Sequence, residues 1–203
     1  VINKDTRVYC SFSKTPGNNG CLYFNEKFKQ HNINAIYKSF YSDNIEQSVL
    51  AAKILGFSGF AISMPYKQTV LKCVDSIDEC AIDIGAANTI VNVHGTLYAY
   101  NTDWIGVYLY LKSYSIQYMN ILGNGGFSRA VQYACNKLNI TYDIIDRSMW
   151  SRVGHLDGYT FNATPIDVQV NGILIDGKAH TDSGKQIALL QADEQFKIYS
   201  LWM

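Results

Sequence analysis

The chain reads Gly123-Asn124-Gly125-Gly126-Phe127-Ser128-Arg129-Ala130 between an apolar run at 118–122 and a helical pattern at 127–138. Glycines at this spacing let a backbone turn tightly after a strand and come close to a pyrophosphate, whose charge then meets the unpaired N–H groups of the helix N-terminus. A plain tight turn would use the same residues, so the context matters: Asp146 ends the next apolar run 20 residues after Gly126, where a dinucleotide-binding unit keeps an acidic residue. Gly123, Gly125, Gly126, Asp146 and Arg147 are therefore candidate cofactor-binding positions. Asp146 suits the ribose 2′-OH of NAD and would repel the 2′-phosphate of NADP, which Arg147 would attract, so the two residues leave both cofactors open.

Two further groups could move a proton. Lys67 follows a strand-like run in Ser63-Met64-Pro65-Tyr66-Lys67, and Asp103 lies in Asn101-Thr102-Asp103; composition alone reads both as solvated residues at element ends. The segment Ser11 to Gly20 holds Gly17, Asn18, Asn19 and Gly20, residues that accept positive φ and can turn successive N–H groups inward around an anion, as well as make ordinary turns. Five cysteines (Cys10, Cys21, Cys73, Cys80, Cys135) contain no CxxC pair, and His31, His94, His155 and His180 stand singly. They read as buried thiols in a reducing compartment, with no metal site.

The elements that must hold these residues alternate. Strands are expected at 8–12, 35–40 and 59–63, and helices at 20–31, from Asp43 to Gly56 with a capping-box start at Asp43 and Glu46, and from Tyr66 to about Asp83. A hairpin turning at His94-Gly95 joins 89–93 to 96–100 and leads into a helix at 104–113. Then the pattern restarts: strand 118–122, helix 127–138, strand 142–145, short strands at 159–162 and 173–176, and a last helix at 182–201. The fold class is α/β.

With 203 residues, 17 basic against 17 acidic, and 48% hydrophobic residues, the chain reads as an ordinary folded protein that needs no staple. Zero formal charge excludes the broad basic field that nucleic-acid binding relies on. The longest stretch without charge, 84–102, holds Asn88, Asn92, His94 and Asn101, too polar to span a membrane. The opening residues, 1–7, mix charge and polarity without an apolar run, which reads against a secretory leader and for a cytoplasmic protein.

In this order the motifs resemble the shikimate dehydrogenase family, and within it the shikimate dehydrogenase-like branch. Ala61-Ile62-Ser63-Met64-Pro65-Tyr66-Lys67 matches the family's NVTxPxK motif, Gly85-Ala86-Ala87-Asn88-Thr89 its GAVNT, and Asn101-Thr102-Asp103-Trp104-Ile105-Gly106 its NTDxxG. Gly123 to Ala130 matches the nucleotide loop, Asn162-Ala163-Thr164-Pro165 the NAT motif, and Leu189-Leu190-Gln191-Ala192 with Phe196 the terminal helix. The resemblance implies a substrate-binding domain over 1–110, a reduced Rossmann-like cofactor domain over 111–181, and a helix at 182–203 packing back on the first. It implies an oxidoreductase of aromatic amino acid and chorismate biosynthesis, interconverting shikimate or a related cyclic hydroxy acid with its 3-dehydro form. Lys67 and Asp103 would be the catalytic pair, Ser63, Asn88, Asn101 and Gln191 would bind substrate, and Asn162 and Thr164 would join the cofactor site. Arg147 falls on the Arg of the family's NRT motif, which leans the cofactor to NADP over NAD. The expected assembly is a monomer or homodimer.

Two departures accompany the resemblance. Both serines of the family's SxSPxxHN motif are missing, since the alignment anchored at Asn25 gives Asn18-Asn19-Gly20-Cys21-Leu22-Tyr23-Phe24-Asn25; Asn18 would then hold the substrate carboxylate. Only 14 residues separate Arg147 from Asn162, so the cofactor domain is short by roughly 50–60 residues against two full βαβαβ halves. The alternative reading is a catalytically weak or silent relative that binds a small polyol acid or nucleotide.

Overall fold

The computed structural model describes residues 2–202. They form two compact units, one running from the chain start to Asn101 and resuming at Gln195, the other Thr102–Glu194.

In the first unit, β1 (Arg7–Ser13), β2 (Ala35–Tyr41), β3 (Gly59–Ile62), β4 (Ser76–Ile77), β5 (Thr89–Val93) and β6 (Thr96–Tyr100) build a mixed sheet in the order β2-β1-β3-β5-β6-β4. α1 (Asn19–Gln30), α2 (Ile45–Ile54) and α3 (Glu79–Ile84) connect them, and α6 (Asp182–Leu201) ends in this unit. The period of two along β1 sends Cys10 and Phe12 to a core with Val49, Phe60, Ile62 and Ile90. Tyr9, on the other face, meets Tyr199 of α6 at 4.7 Å and Phe28 of α1 at 5.3 Å between ring centroids. The hairpin turns at His94 (φ 52) and Gly95 (φ 88), both left-handed, which matches the right-handed twist of the flanking strands.

Two expectations need correction. The segment 66–83 is not one helix: it is a 3₁₀ turn at Thr69–Cys73, then β4 paired parallel to β6, then α3. Short polar side chains divert the backbone: Asp75 Oδ2 accepts from the Leu97 N–H at 2.8 Å, and Asp78 caps α3 by accepting from the Cys80 N–H at 3.1 Å. The cap of α2 is Asn44, not Asp43, its Oδ1 accepting from the Gln47 N–H at 3.1 Å.

The second unit holds β7 (Tyr118–Leu122), β8 (Thr141–Ile145), β9 (Tyr159–Asn162) and β10 (Ile173–Asp176) in an all-parallel sheet ordered β10-β9-β7-β8. α4 (Asp103–Leu111), α5 (Gly126–Lys137) and the first part of α6 cover one face, where Val107, Leu111, Met119, Val131, Phe161 and Ile187 pack. A 3₁₀ segment at Arg147–His155, which the sequence pattern did not distinguish, helps cover the other through Val153 and Leu156 against Leu122 and Ile145. The first strand, β7, lies between β8 and β9, so the connections reverse direction there, which is the switch point at which open α/β sheets bind ligands. Among the described residues no helix is long and apolar enough to cross a membrane.

Candidate functional site

Strand register gathers one group of candidates in the first unit. Antiparallel pairing sets Ala61 opposite Thr89, and Thr89 opposite Tyr100. Asn88 therefore stands beside the end of β3 and beside Asn101: the Ile62 N–H donates to Asn88 O at 2.8 Å, and the Asn88 N–H to Tyr100 O at 3.1 Å. Asn101 Nδ2 donates to Ala86 O at 2.8 Å, so this amide also braces the turn that carries Asn88. The same turn holds the loop after β3, because the Ala87 N–H donates to Lys67 O at 2.7 Å. Ser63 N–H donates to Phe12 O, and the buried Tyr66 hydroxyl donates to Ser42 O at 2.8 Å. Ser63, Lys67, Asn88 and Asn101 are thus brought to one end of the sheet, Asn88 and Asn101 buried and Lys67 half-buried.

Asn18 sits just before α1 and makes no side-chain capping bond; it is exposed, as are Gly17 and Asn19. Of the nearby hydroxyls, Ser13 is buried at the end of β1.

In the second unit Asp103 is the first residue of α4 and 5% exposed, where the helix N-terminus favours its negative charge. The neighbouring Thr102 hydroxyl donates to Gln191 Oε1 at 3.1 Å, while Gln191 Nε2 donates back to Ala188 O. α4 and α6 come close enough there that a Cβ on Gly106 would lie 2.8 Å from Gln191 Cβ.

The glycine loop leaves the end of β7 at the switch point. Gly123 has φ +96, and a Cβ on it would lie 2.8 Å from Thr164 Cγ2. Gly125 is extended, caps α5, and faces open space: a Cβ there would meet nothing within 4 Å. The first turn of α5 contains no acid, so no carboxylate within that turn offsets the positive end of the helix dipole, which favours an anion. The buried Ser128 hydroxyl donates to Gly123 O at 2.7 Å and ties the loop to the helix. These features fit a pyrophosphate.

Asn162 and Thr164 are engaged with each other and with their own loop. Asn162 Oδ1 accepts from the Thr164 N–H at 3.0 Å and from its hydroxyl at 2.7 Å, and Asn162 Nδ2 donates to Ile166 O at 2.9 Å. Lys178 closes the far side, donating to Ile166 O and pairing with Asp167 and Asp176. These side chains shape the loop beside Gly123. At the end of β8, Asp146 caps the 3₁₀ segment by accepting from the Ser148 N–H and hydroxyl at 2.8 and 2.6 Å. The bonds from Ser148 hold its carboxyl below the ordinary range, so it is an anion at neutral pH, next to the exposed Arg147.

Sequence reasoning missed Ser128, Thr102 and Gln195. For Ser128 there was a usable signal, a hydroxyl in the first turn after a glycine loop; the other two are ordinary polar residues until packing buries them. Among the described residues the five cysteines form no disulfide, and no group of three or more His, Cys, Asp or Glu could hold a metal.

Residues 13–90 match the family model for the shikimate dehydrogenase substrate binding domain. The chain is 37% identical over 134 residues to a shikimate dehydrogenase-like protein of Haemophilus influenzae, covering 64% of this chain and 49% of that one. It is 35% identical over 117 residues to the NADP(+) shikimate dehydrogenase of Pyrococcus abyssi, covering 56% and 44%. The chain thus spans about half the length of the relatives it matches. Among solved structures, a shikimate 5-dehydrogenase-like protein superposes with a TM-score of 0.82 at 27% identity, over 98% of this chain and 93% of that one. Shikimate dehydrogenase 1 of Peptoclostridium difficile shares the fold at a TM-score of 0.83 and 24% identity, over 98% and 93%. The end of β3 and the start of β5 fall within the matched residues and the end of β6 just beyond them, and over these matches the chain is similar to members of the shikimate dehydrogenase family.

Proposed function

We propose that this protein is an oxidoreductase that interconverts shikimate, or a related cyclic hydroxy acid, and its 3-dehydro form with a nicotinamide cofactor. The observation that carries the reading is the convergence of Ser63, Lys67, Asn88 and Asn101 at one end of the first sheet through the β3–β5–β6 register. The match of residues 13–90 to a substrate binding domain supports assigning the substrate to the first unit. Open space at Gly125 and the acid-free start of α5 support assigning the cofactor to the second.

A bound nicotinamide supplies the hydride acceptor for alcohol oxidation. The chain supplies the rest. Lys67 takes the hydroxyl proton, with Asp103 as the second member of the catalytic pair that the family resemblance implies. Asn88, Asn101 and Gln191 bind ring hydroxyls, since amides both donate and accept. Asn18 and the N–H groups of its loop hold the substrate carboxylate in place of the missing serines. Arg147 favours NADP, which relatives named as NADP(+) enzymes also support, while the ionised Asp146 works against the 2′-phosphate.

One observation favours a second reading. The cofactor sheet has four strands, with β8 at its edge, and so offers less surface to adenine; the protein would then bind a small polyol acid or a nucleotide with little turnover. Mixing the purified protein with shikimate or quinate and each oxidised nicotinamide, and following reduced-cofactor absorbance, tests the proposal. Growth of absorbance dependent on both components is expected. Its absence, with ligand binding retained in calorimetry, selects the second reading.

A further inference from the structure

In the first unit a buried polar chain runs to Asn88 through two residues that the proposed mechanism does not use, Gln195 and Thr89. Gln195 on α6 is 2% exposed, and its Nε2 lies 3.3 Å from Asn88 O, 3.0 Å from Thr89 Oγ1 and 3.2 Å from the Tyr199 hydroxyl. Thr89 is fully buried, and its Oγ1 lies 2.9 Å from Asn88 Oδ1. Asn88 is 4% exposed.

Donor and acceptor rules give this chain one direction. A backbone carbonyl only accepts, so Asn88 O requires the amide nitrogen of Gln195 on its side rather than the amide oxygen. That nitrogen then donates to Thr89 Oγ1 as well. A hydroxyl that accepts from Gln195 has its single proton to give, and the amide oxygen of Asn88 receives it. If Asn88 were flipped, two NH₂ groups would converge on Thr89 Oγ1 and its proton would lose this acceptor, in a buried place where an unmade bond is costly.

We infer that Gln195, acting through Thr89, fixes the side-chain amide of Asn88 with its oxygen turned to Thr89, so that Asn88 meets the substrate through Nδ2 as a donor. The inference rests on the reading of Asn88 as a substrate-binding residue. Gln195 is a positioning residue, since it acts through Thr89 and Asn88. The ligand group that Asn88 takes is then an acceptor oxygen, a hydroxyl or a carbonyl, and an ammonium at that ring position is refused.

The test compares Gln195→Met, which keeps the length and removes the donors, with Thr89→Val, Thr89→Ser and Asn88→Ala. It reads the KM and kcat for shikimate, and the side-chain NH₂ resonances of Asn88 in the ligand-free protein by NMR. Gln195→Met and Thr89→Val are expected to raise KM about five- to tenfold, the worth of one lost hydrogen bond, with a smaller change in kcat. Both should shift the Asn88 NH₂ pair, and Thr89→Ser should restore KM and resonances together. A purely structural role would lower the melting temperature without moving KM or the Asn88 signals. If Asn88→Ala raises KM but Thr89→Val and Gln195→Met do not, the inference fails and the reading of Asn88 stands. If Asn88→Ala leaves KM unchanged, the reading fails and the inference with it. Unchanged Asn88 resonances in Thr89→Val overturn the inference whatever the activity, including in a protein without turnover or with a poorly folding Gln195→Met.

Discussion

Lys67 is expected to matter in turnover more than in binding, because a proton acceptor does most of its work in the transition state. Lys67→Ala should lower kcat by about 10²- to 10⁴-fold, the usual worth of a general base, with little change in KM. Because Asp103 would act on the same proton, adding Asp103→Asn to that variant should cost little more, since residues acting as a unit are not additive. Steady-state kinetics of the two single variants and the double one check this, and near-normal turnover in Lys67→Ala would remove the assignment. The cofactor question is also set by single residues. Arg147→Ala should weaken NADP more than NAD, and Asp146→Asn should favour NADP by removing like-charge repulsion; titrating both cofactors against each variant reads the difference, and equal losses in Arg147→Ala would point to adenine packing instead. Asn18→Ala should raise the KM for shikimate and leave cofactor affinity alone, since this side chain makes no capping bond to lose. Lys67 and Asp103 are candidates because their residue types stand in recognisable motifs, and Asn18 because of the composition of its loop. Gln195 is not one, because an amide on a long helix carries no mark until Asn88 and Thr89 are folded against it.

At the scale of the element, the glycine loop separates folding from binding. Gly123 sits at φ +96 against Thr164, so Gly123→Ala should destabilise the protein by about 1–3 kcal/mol as backbone strain and crowding combine. Gly125 is extended with open space before it, so Gly125→Ala should change stability by under about 1 kcal/mol yet weaken the cofactor about tenfold or more, by filling the space a pyrophosphate needs. Thermal unfolding and cofactor titration on the two variants check the contrast, and equal cofactor affinity in Gly125→Ala would move the pyrophosphate elsewhere. The loop was readable because strand, glycines and helix are contiguous. The segment 66–83 misled because Val70, Val74 and Ile77 share a helical spacing, whereas the backbone follows Asp75 and Asp78, whose side chains bond to N–H groups instead. Spacing reports which residues are apolar, and it is silent on where a short carboxylate will find a donor.

For the molecule as a whole, the first unit concentrates protonated groups in its interior. Burial raises the phenols of Tyr9 and Tyr37 and lifts Tyr199 well above its ordinary value. It also raises the Cys10 thiol, and in the second unit it pushes Cys135 to about 12. Raised values favour the protonated forms in the folded chain. The stability they contribute is complete below the unfolded values, about 8.5 for a thiol and about 10 for a phenol, and is lost as pH rises beyond them, because only the unfolded chain then releases protons. The urea midpoint should therefore fall above about pH 8.5 and more steeply above about pH 10. In Cys10→Ala, less stable from the start, the thiol share of that fall should shrink. A midpoint that stays flat to pH 11 would contradict the burial of these groups.

What the sequence determined by itself was local: two successive α/β patterns, the strand–glycine–helix unit with Asp146 beyond it, and motifs that placed Lys67, Asp103, Asn88 and Asn101 within a few residues of element ends. Each of these depends on neighbours along the chain, which is where periodicity, capping and turn chemistry act. The tertiary structure decided what depends on residues far apart. The register of β3, β5 and β6 brings Ser63 and Lys67 to Asn88 and Asn101, because pairing fixes neighbours across strands and a slip of one residue would turn each side chain to the other face. Strand order placed β7 between β8 and β9 and so put the glycine loop at the switch point. The turn of α6 against β5 buried Gln195 beside Thr89 across 106 residues of sequence, and a hydrogen bond over that separation exists only once the first unit has closed around it.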